Sequence, residues 1–221
     1  MENIKIYPSF TTQIAQKVDN RLDKNIEGSQ WQEVWDKFKK GDRKAFDTIY
    51  YEHVDFLFSY GRKLTTNSDL VEDAIQDLFL YILSKREQII TPNFIRYYLL
   101  RAYKRILLEK VKREKSDNSD LESGKFGFNF YLEVDALHEK KIEEKKIELI
   151  ESLINQLDSQ KKEVIFLKFY SGLRYAEIAD IVGIKPSSVK KLVYRTISSF
   201  REIVKDKAIE LFVLFSKIAK N

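Results

Sequence analysis

The chain has 221 residues, enough for one or two domains with apolar cores, and its 43% hydrophobic and 33% charged residues are typical of a soluble globular protein. The absence of cysteine excludes a disulfide framework and thiolate metal sites. No signal peptide or membrane span is predicted, so we expect a cytoplasmic protein without membrane insertion. The net charge of +5 favours an anionic partner.

Only seven glycines and three prolines punctuate the chain, which favours long helices and an all-α fold. Residues 1–28 are weakly patterned and form an extension without a predicted role. After them, apolar residues at spacings of three and four predict successive helices whose aromatic stripes we interpret as core. The predicted helix starts and caps in this half are Ser29, Asp42, Asn67 with Ser68, and Thr91 with Pro92.

The third predicted helix carries an acidic face opposite its apolar stripe. On a basic protein, such a face suggests a partner with basic side chains. The alternative is a solvated face with acids near the helix start, where the macrodipole favours them. The residues of this face are Glu72, Asp73, Gln76 and Asp77.

The fourth predicted helix is basic and rich in tyrosine. Residues 96–115 hold eight basic and two acidic side chains, a local net charge of +6. Cations that hold a backbone, interleaved with rings that stack on bases, suit single-stranded nucleic acid, although some of the tyrosines can equally be core. The candidates are Arg96, Tyr97, Tyr98, Arg101, Lys104, Arg105, Lys112 and Arg113.

Residues 116–138 differ from their surroundings, with a net charge of −4 and a cluster of Ser, Asn and Gly. This composition predicts a linker between two helical domains. Its phenylalanines are too many for a purely solvated tether, so we expect part of it to dock.

The segment from Leu173 to Arg201 predicts a helix-turn-helix. Gly183 lies where the chain must turn sharply, and Pro186 suits the first position of the next helix. Upstream, helical periodicity resumes near Glu139, and Asp158 is predicted to cap a supporting helix. Residues 205–221 predict a closing amphipathic helix.

The second helix of this motif is basic, with five cationic residues and no acid between 185 and 201. Its apolar stripe predicts a buried face and leaves a polar face for DNA; the alternative is an amphipathic helix with a solvated basic face. The candidates for duplex DNA contacts are Lys185, Ser187, Ser188, Lys190, Lys191, Tyr194 and Arg195.

Taken together, these motifs resemble those of extracytoplasmic-function sigma factors of bacterial RNA polymerase, of the kind abundant in Bacteroidetes-like genomes. The N-terminal half is similar to the GDxxAFxxxY and EDxxQxxF motifs of sigma region two. The C-terminal half is similar to region four, from Leu157 through the helix-turn-helix to Lys190. The residues of the two region-two motifs are Gly41, Asp42, Ala45, Phe46 and Tyr50, then Glu72, Asp73, Gln76 and Phe79.

The resemblance implies two domains, region two at 29–115 and region four at 139–204. It implies that the acidic face binds the clamp-helix coiled coil of core RNA polymerase. The basic helix would melt and read the minus-ten element, and the helix-turn-helix would bind the minus-thirty-five element. The linker would run toward the polymerase's active centre, and an anti-sigma factor is a possible partner. The chain departs from the family at Tyr98 and Arg105, where Trp and Asn are usual.

Other classes of function are less well supported. The two histidines, His53 and His138, lie on different predicted segments without a nucleophile or a phosphate-binding loop, so no catalytic residues, metal site or cofactor are predicted. A helix-turn-helix regulator that does not recruit polymerase remains an alternative, as does a helical adaptor with an incidental basic surface.

Overall fold

The computed structural model describes residues 28–117, 127–129 and 152–204. The predicted extension, most of the linker and the closing amphipathic helix lie outside these ranges. Within them the regular structure is helical, as the sequence predicts, and no helix there is long and apolar enough to cross a membrane. The helices are α1 (Gly28–Lys39), α2 (Arg43–Leu64), α3 (Ser68–Lys85), α4 (Ile95–Asp117), α5 (Ser159–Ile165), α6 (Tyr175–Val182) and α7 (Pro186–Val204).

The predicted caps of α2 and α3 are confirmed. The Asp42 carboxylate accepts hydrogen bonds from the backbone N–H groups of Lys44 and Ala45, at 2.8 and 3.2 Å. Asn67 caps α3 in the same way. These bonds satisfy amides that have no partner within the helix, so each helix begins where a short polar side chain precedes its apolar stripe.

The start of α4 was predicted too early. Helix begins at Ile95, three residues beyond Pro92, and residues 90–94 form a non-helical loop. A residue before proline is biased toward extended backbone, which keeps Thr91 out of a helix. The Thr91 hydroxyl donates to the Asp36 carboxylate at 2.9 Å, which anchors the loop to α1.

The N-terminal domain is built by α1 to α4 around an aromatic core. The rings of Phe46 and Tyr50 on α2 both meet Phe79 on α3 edge-on, with centroids 6.1 and 4.7 Å apart. A methyl group at Gly61 would lie 2.0 Å from the Tyr103 hydroxyl, so only glycine lets α2 and α4 approach this closely. The apolar members of the family-like motifs are therefore packing residues.

In the C-terminal domain, Asp158 caps α5 by accepting from the Lys161 backbone N–H at 2.8 Å, as predicted. The helix continues as a π-helical turn over Phe166–Tyr170 and ends before Gly172, whose φ is +68°. This turn places the Phe166 and Tyr170 rings in a stack with centroids 4.4 Å apart. The stack faces the N-terminal domain.

The two domains share one continuous apolar core. The Phe166 ring lies parallel to Phe56 on α2, with centroids 6.4 Å apart, and is tilted against Tyr60. Phe128, from the predicted linker, is fully buried and contacts both Tyr60 and Phe166. The expectation that part of the linker docks is thus met at Phe128, which packs between the domains.

Candidate nucleic-acid and polymerase interfaces

The helix-turn-helix is formed by α6 and α7. The Glu177 carboxylate caps α6 by accepting from the Arg174 backbone N–H at 2.9 Å, and it also pairs with the Arg174 guanidinium. Gly183 then takes a left-handed conformation with φ of +77°, and its N–H bonds back to the Ala179 carbonyl at 2.9 Å. Pro186 occupies the first position of α7, as predicted.

One side of α7 is buried and the other faces solvent, as its periodicity predicts. Val189, Val193 and Phe200 pack into the core. The Tyr194 ring is 59% exposed, and the Lys190 ammonium lies 6.0 Å from its centroid. The candidates that are exposed on this face are Lys185, Ser187, Ser188, Lys190, Lys191, Tyr194 and Arg195.

The candidates on α4 differ widely in exposure. Arg105, Lys112 and Arg113 are exposed, and so is Arg101, whereas Arg96, Tyr97, Tyr98 and Lys104 are half-buried. The Arg96 guanidinium lies over the Phe56 ring at 5.1 Å, and burial lowers its pKa. Tyr103 is fully buried and belongs to the core.

Three of these candidates contact acids of the C-terminal domain. Tyr97 donates its hydroxyl to Asp180 Oδ2 at 2.6 Å, and Arg101 Nε lies 2.7 Å from the same oxygen. Lys104 Nζ pairs with Glu163 Oε1 at 2.6 Å and donates to the Ile181 carbonyl at 3.0 Å. The sequence gives no signal for these contacts, because Asp180 and Glu163 lie on elements remote in the chain.

A cavity of about 700 Å³ beside the start of α4 was not predicted. Tyr81 and Lys85 from α3 and Tyr98 from α4 form part of its lining, and the loop at residues 88–93 supplies the rest. Ile90 on this loop is 85% exposed. The only sequence signal was the Thr91–Pro92 pair, which marked a break between two helices.

The acidic face of α3 points to solvent. Asp73, Gln76 and Asp77 are exposed and Glu72 is half-buried. Burial and the carboxylates of Asp69 and Asp73 raise the pKa of Glu72, because each makes its negative charge less favourable. Asp77 pairs with Lys110 on α4 at 2.8 Å. Because this pair neutralises one of the three carboxylates of the face, the face retains an excess of negative charge.

The fold and these surfaces define a class of two-domain helical protein with a DNA-binding helix-turn-helix in its second domain. Residues 147–198 match the family model of sigma-70 region 4. The chain is 28% identical to the ferric citrate uptake sigma factor FecI of Escherichia coli over 69% of this chain and 87% of FecI. It is 24% identical to the ECF RNA polymerase sigma factor SigW of Bacillus subtilis, over 76% and 93% of the two chains.

The solved structure of CnrH, in complex with the cytosolic domain of CnrY, shares the fold. The TM-score is 0.50 at 16% identity, over 79% of this chain and 96% of CnrH. Over most of its length the chain is similar in sequence to extracytoplasmic-function sigma factors of RNA polymerase, and its C-terminal domain matches sigma-70 region 4.

Proposed function

We propose that this sigma factor binds core RNA polymerase through α3 and directs it to promoters that α4 and α7 bind. The observation that carries the proposal is that the acidic face of α3 and the basic face of α7 are both exposed on separate domains. A regulator that only binds duplex DNA does not need the acidic face. The polymerase supplies the chemistry, and this chain supplies the recognition of the promoter.

The exposed face of α7 is proposed to bind the minus-thirty-five element as duplex. In helix-turn-helix proteins the first residues of the second helix reach base edges in the major groove, and basic neighbours bind phosphates. Ser187 and Ser188 occupy the first turn of α7, and Lys190 and Lys191 follow one turn later. The serines are proposed to contact bases and the lysines to neutralise the backbone.

The start of α4 and the cavity beside it are proposed to capture the melted minus-ten strand. Tyr81 and Tyr98 offer aromatic faces on which an unstacked base can pack, and the cavity has room for one. The exposed cations Arg105, Lys112 and Arg113 would hold the strand's phosphates further along α4. Tyr98 takes the place of the usual tryptophan as the aromatic side chain at the edge of the melted region.

The acidic face of α3 is proposed to bind the clamp-helix coiled coil of the largest polymerase subunit. Burial raises the pKa of Glu72, and repulsion from Asp69 and Asp73 raises it further; a cationic partner would relieve this repulsion. By the likeness to CnrH, which was solved with the cytosolic domain of CnrY, we also expect an anti-sigma factor that binds this chain.

The test of the proposal is run-off transcription with core RNA polymerase and a library of upstream sequences. Purified chain should start transcription from a defined subset of the library, and it should capture core enzyme in a pull-down. Replacing Asp73 and Asp77 with lysine should reduce capture at least tenfold, because two exposed attractive charges become repulsive.

The matched control replaces with lysine two exposed glutamates of the same domain that lie outside α3, Glu52 on α2 and Glu87 beyond the end of α3. Capture by this control should stay within twofold of the wild type. Duplex DNA binding without capture of core enzyme would favour the alternative regulator that does not recruit polymerase.

A further inference from the structure

A further cluster of cations lies apart from α4 and α7, at the turn between α1 and α2. Residues 37–44 hold five basic side chains and one acid, a net charge of +4. The acid, Asp42, is engaged by its own helix, because its carboxylate accepts from backbone N–H groups at the start of α2. Among the described residues, Lys37 is the only one of the five cations with an ion pair, to Glu33 at 2.7 Å. The other four, named here the turn cluster, are Lys39, Lys40, Arg43 and Lys44.

The turn cluster presents a surface without apolar side chains. Three of its members are exposed and Lys39 is half-buried. The apolar residues next to it in sequence, Phe38, Ala45 and Phe46, are buried. The centre of a protein interface is usually apolar, whereas surfaces that bind nucleic acid are more polar and far more positively charged. The turn cluster therefore fits a row of phosphates better than it fits another protein.

The turn cluster adjoins the cavity in which a base of the melted strand is proposed to be captured. Arg86 Nε lies 4.0 Å from the position that a Cβ at Gly41 would occupy, so the end of α3 lies at the turn. Lys85, the preceding residue, lines the cavity. Thr91, which also lines it, donates its hydroxyl to Asp36 on α1 at 2.9 Å. These contacts place the turn cluster beside the α3 end of the cavity.

The exposed cations of α4 begin at the other end of the cavity. Tyr98, in the first turn of α4, is part of the lining. Arg105 lies seven residues further along the helix, about 10 Å at a rise of about 1.5 Å per residue, and Lys112 and Arg113 lie beyond it. A strand with one base in the cavity would therefore meet α4 on one side of that base and the turn cluster on the other.

We propose that the turn cluster binds phosphates of the melted promoter strand, on the side of the captured base that faces away from α4. This inference rests on the proposed function and extends the single-strand site to residues outside the minus-ten helix. Cations that contact phosphates fix the position of a strand and carry no sequence information themselves. The turn cluster thus adds affinity and salt dependence, and it holds the strand at both flanks of the captured base.

The experiment measures binding of the full chain to fluorescent single-stranded oligonucleotides by anisotropy at several salt concentrations. Each oligonucleotide has a short A/T-rich core between abasic flanks, so that only the core has bases that can enter the cavity. Lys40→Gln/Arg43→Gln removes two exposed charges, and we expect the affinity to fall about tenfold at fixed salt. The slope of log affinity against log salt should become shallower by about 1.4, since each phosphate contact on a single strand contributes about 0.7.

Lys161→Gln/Lys162→Gln is the control for net charge, because it removes the same two charges from α5 in the C-terminal domain. Its affinity and salt slope should stay close to those of the wild type, with a change in affinity below twofold. Equal losses in the two double variants would overturn the proposal, because only the total charge would then matter.

A change in the oligonucleotide tests which phosphates are involved. Methylphosphonate linkages remove the charges of one flank at a time. When the flank that meets the turn cluster is neutral, the wild type and Lys40→Gln/Arg43→Gln should bind within twofold of each other. When the other flank is neutral, the tenfold difference should persist. A difference that is the same with either flank neutral, or a wild type that binds none of the oligonucleotides, would overturn the proposal.

This inference and the proposed function can fail separately. If the wild type captures core enzyme and transcribes while Lys40→Gln/Arg43→Gln binds the oligonucleotides as the wild type does, only the role of the turn cluster is wrong. If the wild type does not capture core enzyme, the proposed function is wrong, whatever the oligonucleotides show.

Discussion

The two basic helices α4 and α7 have similar sequence signals but different surroundings. Each carries cations interleaved with tyrosine, and each has an apolar stripe. On α7 the basic face lies open to solvent, whereas on α4 the half nearest the loop contacts the other domain through Lys104 and Arg101. The difference teaches that a basic pattern identifies a candidate surface for DNA, while the packing of the domains decides whether that surface is available.

The largest expected effect concerns Lys104, whose side chain is more deeply buried than that of Arg101. Among the described residues, Lys104→Ala leaves the buried Glu163 with the Tyr60 hydroxyl as its partner, and we expect a loss of about 3 kcal/mol from the docked, folded state. Urea unfolding by circular dichroism reports both domains. Fluorescence of Trp31 and Trp35, the only tryptophans, reports the N-terminal domain alone.

The matched variant is Arg101→Ala, whose ion pair is largely exposed and should contribute less than about 1 kcal/mol. A larger loss for Arg101→Ala than for Lys104→Ala would show that the exposed contact, rather than the buried one, holds the domains together.

The second-largest expected effect concerns α7, whose basic face is exposed. Replacing both Lys190 and Lys191 with glutamate should weaken binding to minus-thirty-five duplex about 100-fold, equivalent to about 2.7 kcal/mol, because two phosphate contacts become repulsive. The measurement is a mobility shift or anisotropy titration at fixed salt. Capture of core polymerase should be unchanged.

The control for this variant places the same charge reversals on α4, at Arg105 and Lys112, both exposed. Duplex affinity should stay within threefold of the wild type. Comparable losses of duplex affinity in the two variants would mean that α4 and α7 do not bind separate promoter elements.

The third-largest expected effect is a pH dependence of stability that arises in the N-terminal domain. His53 on α2 is buried with its Nδ1 2.9 Å from the Ile49 carbonyl oxygen, and burial lowers its pKa from 6.5 to about 4. Between pH 6.5 and about pH 4, His53 is therefore protonated in the unfolded chain but neutral in the folded chain. Stability from this group is present above pH 6.5 and is lost as the pH falls toward 4.

Between pH 7 and pH 5 the loss should be about 2 kcal/mol in the wild type and absent in His53→Gln. Urea midpoints from tryptophan fluorescence at the two pH values give the difference, and other titrating groups cancel between the proteins. An equal pH dependence in both proteins would place the acid-sensitive group elsewhere.

The smallest effect concerns the turn that presents α7. A methyl group at Gly183 would meet no atom within 4 Å, so Gly183→Ala is disfavoured only by its φ of +77°, at about 1 kcal/mol. Unfolding by circular dichroism measures this value. A loss above about 3 kcal/mol would indicate that the turn must deform to accept the side chain.

Much of the fold could be predicted from the sequence, because its signals act within one or two helical turns. Asp42, Asn67 and Asp158 cap helices through hydrogen bonds that span two or three residues. Gly183 marks the turn of the helix-turn-helix, and periodicity identified the exposed face of α7. Where local signals conflicted, as at Thr91 and Pro92, the helix start was misplaced by a few residues.

The tertiary structure alone decided which candidates on α4 are accessible. The Tyr97–Asp180 and Lys104–Glu163 contacts join residues 83 and 59 positions apart, beyond the range of any periodic pattern. The tyrosine-lined cavity likewise depends on how α3 and α4 meet. Sequence by itself determined which faces are charged and which are apolar; only the packing of the two domains determined which of the charges are already paired, because a pair requires both partners at one point in space.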